Sequence, residues 1–169
     1  MSTPLVLGVD LGGTQVRAAL VNEHGEVQRR AAAATDVAGG PKAVLAQMQR
    51  RFAELGLDEQ RSAIIGAGVC APGPLDSDTG TIIDIPTLPG WNAFPLRQAL
   101  SETLGLPVVL ENDGIAAAFG EWKFGAGRGH HNVLYLTVST GVGGGVIIDD
   151  HILQGHHGLA AELGHVTLD

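Results

Sequence analysis

Two glycine-rich segments carry the residue types that bind phosphate. The first contains Asp10, Gly12, Gly13 and Thr14, and the second contains Thr140, Gly141, Gly143 and Gly144. Glycines let backbone N–H groups approach phosphate oxygens, threonine hydroxyls add a donor, and a carboxylate such as that of Asp10 suits Mg²⁺ or its bound water. Each segment alone is also typical of an ordinary hairpin turn. Two turns of like chemistry, facing each other, predict a clamp for a polyphosphate.

Two better-known nucleotide-binding motifs fit this sequence poorly. A P-loop needs Lys directly after its second Gly, and the chain contains no Gly-Lys pair. The segment from Gly66 to Ala71 does match a dinucleotide fingerprint that ends in Ala. That fingerprint must open a helix, however, and the following Pro72-Gly73-Pro74 strongly disfavours one.

Glu111-Asn112-Asp113 follows an apolar strand candidate and is the second site of expected chemistry. Ligands of α/β proteins bind at the carboxyl ends of strands, where the carboxylate of Asp113 can accept a proton from an alcohol that attacks phosphorus. Asn112 offers both a donor and an acceptor to a sugar hydroxyl. The alternative, that Asp113 only caps the next helix, stays open at this point.

Histidines concentrate near the end of the chain. Of the 7 His residues, four lie in one short stretch: His151, His156, His157 and His165. A metal site, a polar sugar pocket and solvated loop histidines are all consistent with that pattern. A complete zinc site within the chain is disfavoured, because a closed site needs a full set of Cys and His ligands and Cys70 is the single thiol.

Composition excludes several classes of protein. The 169 residues carry a net charge of −8, the opposite of what a nucleic-acid or anionic-membrane binder shows. The apolar run from Leu5 to Val9 is too short for a signal peptide or a membrane span, so we expect a cytoplasmic protein with no nucleic-acid and no membrane partner. The oligomeric state is left open, with a homo-oligomer retained as one outcome.

Strand and helix candidates alternate along the chain, which predicts an α/β class. Apolar runs predict strands at 5–10, 16–21, 63–69, 107–110, 132–140 and 142–148, whereas 27–34 is a strand or a short helix. Helical spacing of apolar residues predicts helices after Pro41, after Pro95 and from Asp113. We place the domains at 1–118 and 119–169.

Six motifs, in their order and spacing, resemble the ROK family of sugar kinases and related repressors, above all its bacterial glucokinases. The motifs are Asp10 to Thr14, Gly68 to Asp76, Leu88 to Asn92, Glu111 to Asp113, Thr140 to Gly145 and Glu162 to His165. The resemblance implies an actin-like ATPase (ribonuclease H-like) fold of class α/β, with an N-terminal domain and the start of a truncated C-terminal domain.

By this resemblance Asp113 is the catalytic base, the two glycine turns hold the phosphates of ATP, and Asp10 associates with Mg²⁺ through a water molecule. The implied sugar-binding residues are Asn112, Glu162, His165, Gly73 and Thr87. His165 is also implied as a Zn²⁺ ligand, with its cysteine partners supplied by a family loop that lies beyond Asp169. The implied partners are a small-molecule sugar and ATP.

The sequence departs from the family pattern in three places. Ala161 stands where the family usually has Gly, and Thr87 stands where many glucokinases have Asn. The chain ends at Asp169, before the zinc loop, so the resemblance implies a truncated form of a kinase with weak or no activity of its own.

The resulting hypothesis is ATP-dependent phosphorylation of a hexose, glucose first. N-acetylmannosamine, N-acetylglucosamine and fructose stay open as substrates, because a few hydroxyl contacts decide among them. The rivals from other classes are a sugar-responsive ROK transcriptional regulator without its DNA-binding segment and a non-catalytic sugar-binding protein.

Overall fold

The computed structural model describes residues 3–138, 141–155, 160 and 163–165, the last by its backbone. The strands are β1 (Leu5–Leu11), β2 (Gln15–Asn22), β3 (Val27–Ala34), β4 (Ile64–Ala71), β5 (Leu75–Asp76), β6 (Thr81–Ile82), β7 (Val108–Asn112), β8 (Val133–Val138), β9 (Val142–Ile148) and β10 (His151–Ile152). The helices are α1 (Gly40–Glu54), α2 (Leu96–Leu104) and α3 (Asp113–Phe124), with a short 3-10 helix at Leu163–His165. The chain divides into two compact units, Met1–Glu111 and Asn112–Asp169.

The first unit is built on a five-stranded sheet in the order β3-β2-β1-β4-β7. Strand β1 runs antiparallel to β2 and parallel to β4. Alternate residues of β1 are buried, as expected for a strand whose side chains point to opposite faces. The central strand therefore ends at Asp10 and Leu11, and the turn that follows it leads directly into β2.

Helices α1 and α2 contribute their apolar stripes to the core of the first unit. Val44, Met48 and Phe52 are the buried residues of α1, and Leu96, Leu100 and Leu104 are those of α2. Spacings of four residues place such side chains on one helical face. A proline lies at the start of both helices, as the sequence predicts: Pro41 is in the first turn of α1, and Pro95 is at the N-cap position of α2.

The segment 27–34, for which the sequence leaves strand and helix open, is the edge strand β3. It pairs only with β2 among the strands of the sheet order, and most of its residues are exposed. An edge strand of this kind has little apolar alternation, which explains why the sequence pattern is weak.

The second unit contains a three-stranded antiparallel sheet in the order β10-β9-β8, with α3 packed against β8 and β9. The two long strands agree with the predicted strand, glycine turn and return strand. The predicted domain boundary at 118/119 falls within α3, and the division into domains 1–118 and 119–169 stays a prediction. Among the described helices, none is long and apolar enough to cross a membrane.

Candidate active site

Asp10 is the second-to-last residue of the central strand β1, and two side chains lie close to its carboxylate. Arg17 Nη1 lies 3.2 Å from Oδ2, and the Cys70 thiol lies 3.6 Å from Oδ1. The parallel register pairs Asp10 with Cys70 and the antiparallel register pairs it with Arg17, so both contacts follow from sheet geometry. The side chain of Asp10 is 37% exposed. The carboxylate is therefore held in place while it keeps access to solvent.

The turn after Asp10 is held by the backbone and by a threonine. Gly12 N donates to Gln15 O at 2.9 Å, which closes the turn between β1 and β2. Thr35 Oγ1 donates to Gly12 O at 2.6 Å, and Thr35 N donates to Thr14 O at 2.9 Å. The end of β3 thus fixes the predicted phosphate turn through two hydrogen bonds.

Thr87, predicted to border the sugar, lies against this same turn. A Cβ added to Gly13 would stand 3.1 Å from Thr87 Oγ1 and 3.3 Å from Thr87 Cβ. Gly73, another predicted sugar-binding residue, lies in the loop between β4 and β5, where its peptide bond to Pro74 is cis. The first unit therefore brings Asp10, the glycine turn and Thr87 together.

The start of α3 carries both Asn112 and Asp113. Asn112 is the N-cap, and its side-chain Oδ1 accepts from Gly114 N at 2.9 Å and Ile115 N at 3.4 Å. Asp113 lies in the first turn of the helix, and its carboxylate accepts from Gly114 N at 2.8 Å. Helix N-termini favour negative charge, so this position suits an ionised carboxylate. The capping role belongs to Asn112, and the side chain of Asp113 is exposed at the helix start.

Glycines of β9 allow α3 to approach the sheet closely. A Cβ at Gly114 would stand 2.6 Å from Gly144 O, and one at Gly145 would stand 2.5 Å from Ala118 Cβ. Gly143 and Gly144, predicted as phosphate-binding residues, thus lie within strand β9. Gly141 precedes the strand, is exposed, and would have open space around a Cβ.

The short 3-10 helix reaches the start of the same strand. A Cβ at Gly164 would stand 3.0 Å from Val142 Cβ, and one at Gly144 would stand 2.9 Å from Leu163 Cδ1. The start of α3, the start of β9 and the segment that carries His165 therefore meet in the second unit. Thr140, Glu162 and the side chain of His165 lie outside the described residues, so their predicted roles stay predictions.

Two polar contacts near the predicted loops are not predicted by the sequence. Ser77 Oγ donates to Glu111 Oε1 at 2.8 Å, which ties the β5–β6 hairpin to the end of β7. Within that hairpin, Asp76 Oδ1 accepts from Thr79 N at 2.9 Å, and this hydrogen bond lowers the pKa of Asp76. A Ser and a Glu far apart in sequence give no local signal of such a pairing.

Comparison with known proteins decides the family. Residues 6–169 match the model of the ROK family. The chain belongs to the ROK family. Its fold is accordingly the α/β actin-like ATPase fold of the ROK kinases, as the resemblance implies.

Several ROK proteins are similar to the chain over nearly its whole length. It is 38% identical over 164 residues to a glucokinase from Thermotoga maritima, covering 97% of this chain and 51% of the relative. A crystal structure of a ROK family glucokinase from Streptomyces griseus, in complex with glucose and AMPPNP, matches with a TM-score of 0.85 and 35% identity, covering 98% of this chain and 51% of that one.

ROK regulators are similar to the chain as well. A xylose repressor from Bacillus subtilis is 41% identical over 106 residues, covering 63% of this chain and 27% of the repressor. The chain spans about half the length of the curated glucokinases it matches.

Proposed function

We propose that this chain supplies half of an ATP-dependent hexose kinase whose first substrate is glucose. The observation that carries the proposal is the packing of Gly114 on Gly144, 2.6 Å from a Gly114 Cβ position to the Gly144 carbonyl oxygen. Asp113 directly precedes Gly114, so this contact supports a position of Asp113 near the glycine-rich strand β9. A base next to a phosphate-binding turn is the arrangement that phosphoryl transfer to an alcohol requires.

Asp113 acts as the base in this proposal. Its carboxylate accepts the proton of the sugar 6-hydroxyl as that oxygen attacks phosphorus, and the helix N-terminus favours the ionised form that accepts it. Asn112 Oδ1 accepts a hydrogen bond from Gly114 N at 2.9 Å and so caps the helix. The side-chain NH₂ group of Asn112 is the proposed donor to a sugar hydroxyl. His165, Glu162 and Gly73 are proposed as further sugar contacts.

The first unit is proposed to hold phosphate. Gly12, Gly13 and Thr14 supply backbone and hydroxyl donors, and Thr140 with Gly141, Gly143 and Gly144 does so in the second unit. ATP supplies the transferred phosphoryl group. Mg²⁺ usually binds through one or two carboxylates together with substrate phosphates, and the 37% exposed carboxylate of Asp10 fits one such ligand.

Zinc does not fit the described part of the chain. Among those residues no three His, Cys, Asp or Glu side chains cluster as metal ligands. The single thiol, Cys70, lies beside Asp10 in the first unit. A zinc role for His165 would therefore need ligands from other residues, and no step of the mechanism depends on it.

Substrate and class alternatives follow from the same family. N-acetylmannosamine, N-acetylglucosamine and fructose are the alternative substrates, and a few contacts to sugar hydroxyls would decide among them and glucose. A sugar-responsive regulator is the alternative from another class, supported by the similarity to the xylose repressor.

The deciding experiment replaces the proposed base. We expect Asp113→Asn, in a fusion of this chain to the second half of a ROK glucokinase, to lower glucose phosphorylation by about 10²–10⁴-fold in a coupled ATP assay. Glucose binding measured by calorimetry is expected to stay unchanged, because Asn keeps the size of the side chain. Asp149→Asn, in the β9–β10 turn, is the matched control and leaves turnover unchanged. Full turnover in Asp113→Asn would reject the assignment.

A further inference from the structure

The side chain of Thr87 leaves no room for a Cβ atom at Gly13. Its φ is outside the left-handed range, since the residues of positive φ do not include it. A Cβ at this position would instead stand 3.1 Å from Thr87 Oγ1, 3.3 Å from Thr87 Cβ and 3.9 Å from Thr87 O. The first two of these distances are shorter than ordinary van der Waals contacts. The Thr87 side chain therefore occupies the space that a side chain at residue 13 would need.

The turn cannot move away from Thr87 without breaking other bonds. Thr35 Oγ1 donates a hydrogen bond to Gly12 O at 2.6 Å, and Gly12 N donates one to Gln15 O at 2.9 Å. The adjacent backbone is held again by Thr35 N, which donates to Thr14 O at 2.9 Å. The glycine turn is thus held by Thr35, which directly follows β3, next to the place that the Thr87 side chain occupies.

Thr87 itself is carried by an anchored loop. Ile85 and Leu88 on either side of it are each 1% exposed, and Leu88 N donates to Ile85 O at 2.9 Å. Further along the loop, Trp91 is buried and packs edge to face on Phe94 with ring centroids 5.1 Å apart. The exposed side chain of Thr87 is therefore held at a fixed place by buried neighbours.

We propose that Thr87 is a positioning residue that sets the place of the phosphate-binding turn relative to the loop predicted to border the sugar. The inference rests on the proposed function, because the turn matters only if it holds a nucleotide. Small displacements of groups that orient a reacting phosphate have large effects. The hydroxyl of residue 87, which is its nearest atom to the Gly13 Cβ position, then decides how the turn meets the phosphates, beyond any direct contact that Thr87 makes with the sugar.

The test is a rescue experiment on this chain with Mg²⁺ and AMPPNP as the probe, using calorimetry and thermal unfolding. We expect Gly13→Ala to weaken AMPPNP binding about tenfold and to lower Tm, since the new Cβ meets Thr87. Adding Thr87→Gly removes both Oγ1 and Cβ of residue 87, the two atoms that the new Cβ would meet, and is expected to return the affinity to within about threefold of wild type. Adding Thr103→Ala, on the exposed face of α2, is the control and restores nothing.

Thr87→Ala and Thr87→Ser in the wild-type background keep the proposal testable if Gly13→Ala does not fold. Thr87→Ser retains the hydroxyl that lies next to the Gly13 Cβ position, so we expect it to keep the wild-type affinity for AMPPNP. We expect Thr87→Ala, which lacks that hydroxyl, to bind AMPPNP more weakly. Restored Tm without restored affinity would overturn the positioning role, and so would equal affinities of the Ala and Ser variants. If the wild-type chain binds no AMPPNP, the nucleotide part of the proposed function fails and the inference falls with it.

Discussion

Asn112 carries two separable tasks at the scale of one residue. Its Oδ1 caps α3, and its amide is proposed to meet a sugar hydroxyl. Asp caps a helix about as well as Asn but offers no N–H donor. We therefore expect Asn112→Asp to keep the Tm of the chain while glucose binding is lost, and Asn112→Ala to lose about 1 kcal/mol of stability as well. Thermal unfolding and glucose calorimetry on the two variants check this; equal loss of Tm in both would contradict the cap.

Asp76 gives a pH dependence whose sign follows from its hydrogen bond. The backbone N–H of Thr79 lowers the pKa of Asp76 below the usual 3.8, so the folded chain favours the ionised carboxylate. The contribution to stability is present above the unfolded pKa and is lost as the pH falls through the folded pKa. We expect the Tm difference between wild type and Asp76→Asn to shrink below about pH 4. Asp78→Asn is the control, and a difference independent of pH would be evidence against this cause.

At the scale of elements, the glycines of β9 determine how α3 sits on its sheet. A Cβ at Gly145 meets Ala118 Cβ at 2.5 Å and Gly114 O at 3.1 Å, whereas one at Gly143 meets only Thr137 Cγ2, at 3.4 Å. Overpacking of this kind costs about 1–3 kcal/mol. We expect Gly145→Ala to destabilise the chain by that amount and to speed hydrogen exchange in α3. Gly143→Ala is the matched control, and equal effects of the two would show that packing on α3 is not the reason.

The sequence predicts elements well where apolar residues alternate or recur at helical spacing. Strands such as β1, with every second residue buried, and helices such as α1, with buried Val44, Met48 and Phe52, follow from local pattern. The roles of the second glycine cluster could not be predicted fully, because Gly144 and Gly145 lie in a strand and meet a helix distant in sequence. The Thr87–Gly13 and Ser77–Glu111 contacts are non-local for the same reason.

At the scale of the whole molecule, two compact units each carry part of the proposed machinery. The chain spans about half the length of the glucokinases it matches, so we expect little glucose phosphorylation by the 169-residue chain alone. A coupled ATP assay that compares the chain with its fusion to a second ROK half measures the difference. Equal turnover of the two would show that these residues are sufficient.

The second unit also leaves an apolar sheet face open in the described residues. Leu134, Leu136 and Val138 alternate along β8 and are 61%, 53% and 79% exposed. Val142 of β9 pairs with Val138 and is exposed as well. Exposed apolar patches favour association, which is why a homo-oligomer stays among the predicted outcomes.

The chain's 2 tryptophans fall one in each unit. Trp91 is buried in the first unit, whereas Trp122 of α3 is half-buried, with the Lys123 ammonium 3.5 Å from its ring centroid. We therefore expect the two tryptophans to differ in the wavelength of their emission maxima, because indole emission depends on contact with water and charge. A Trp122→Phe variant leaves Trp91 as the single tryptophan, so its emission during a denaturant titration follows the unfolding of the first unit by itself.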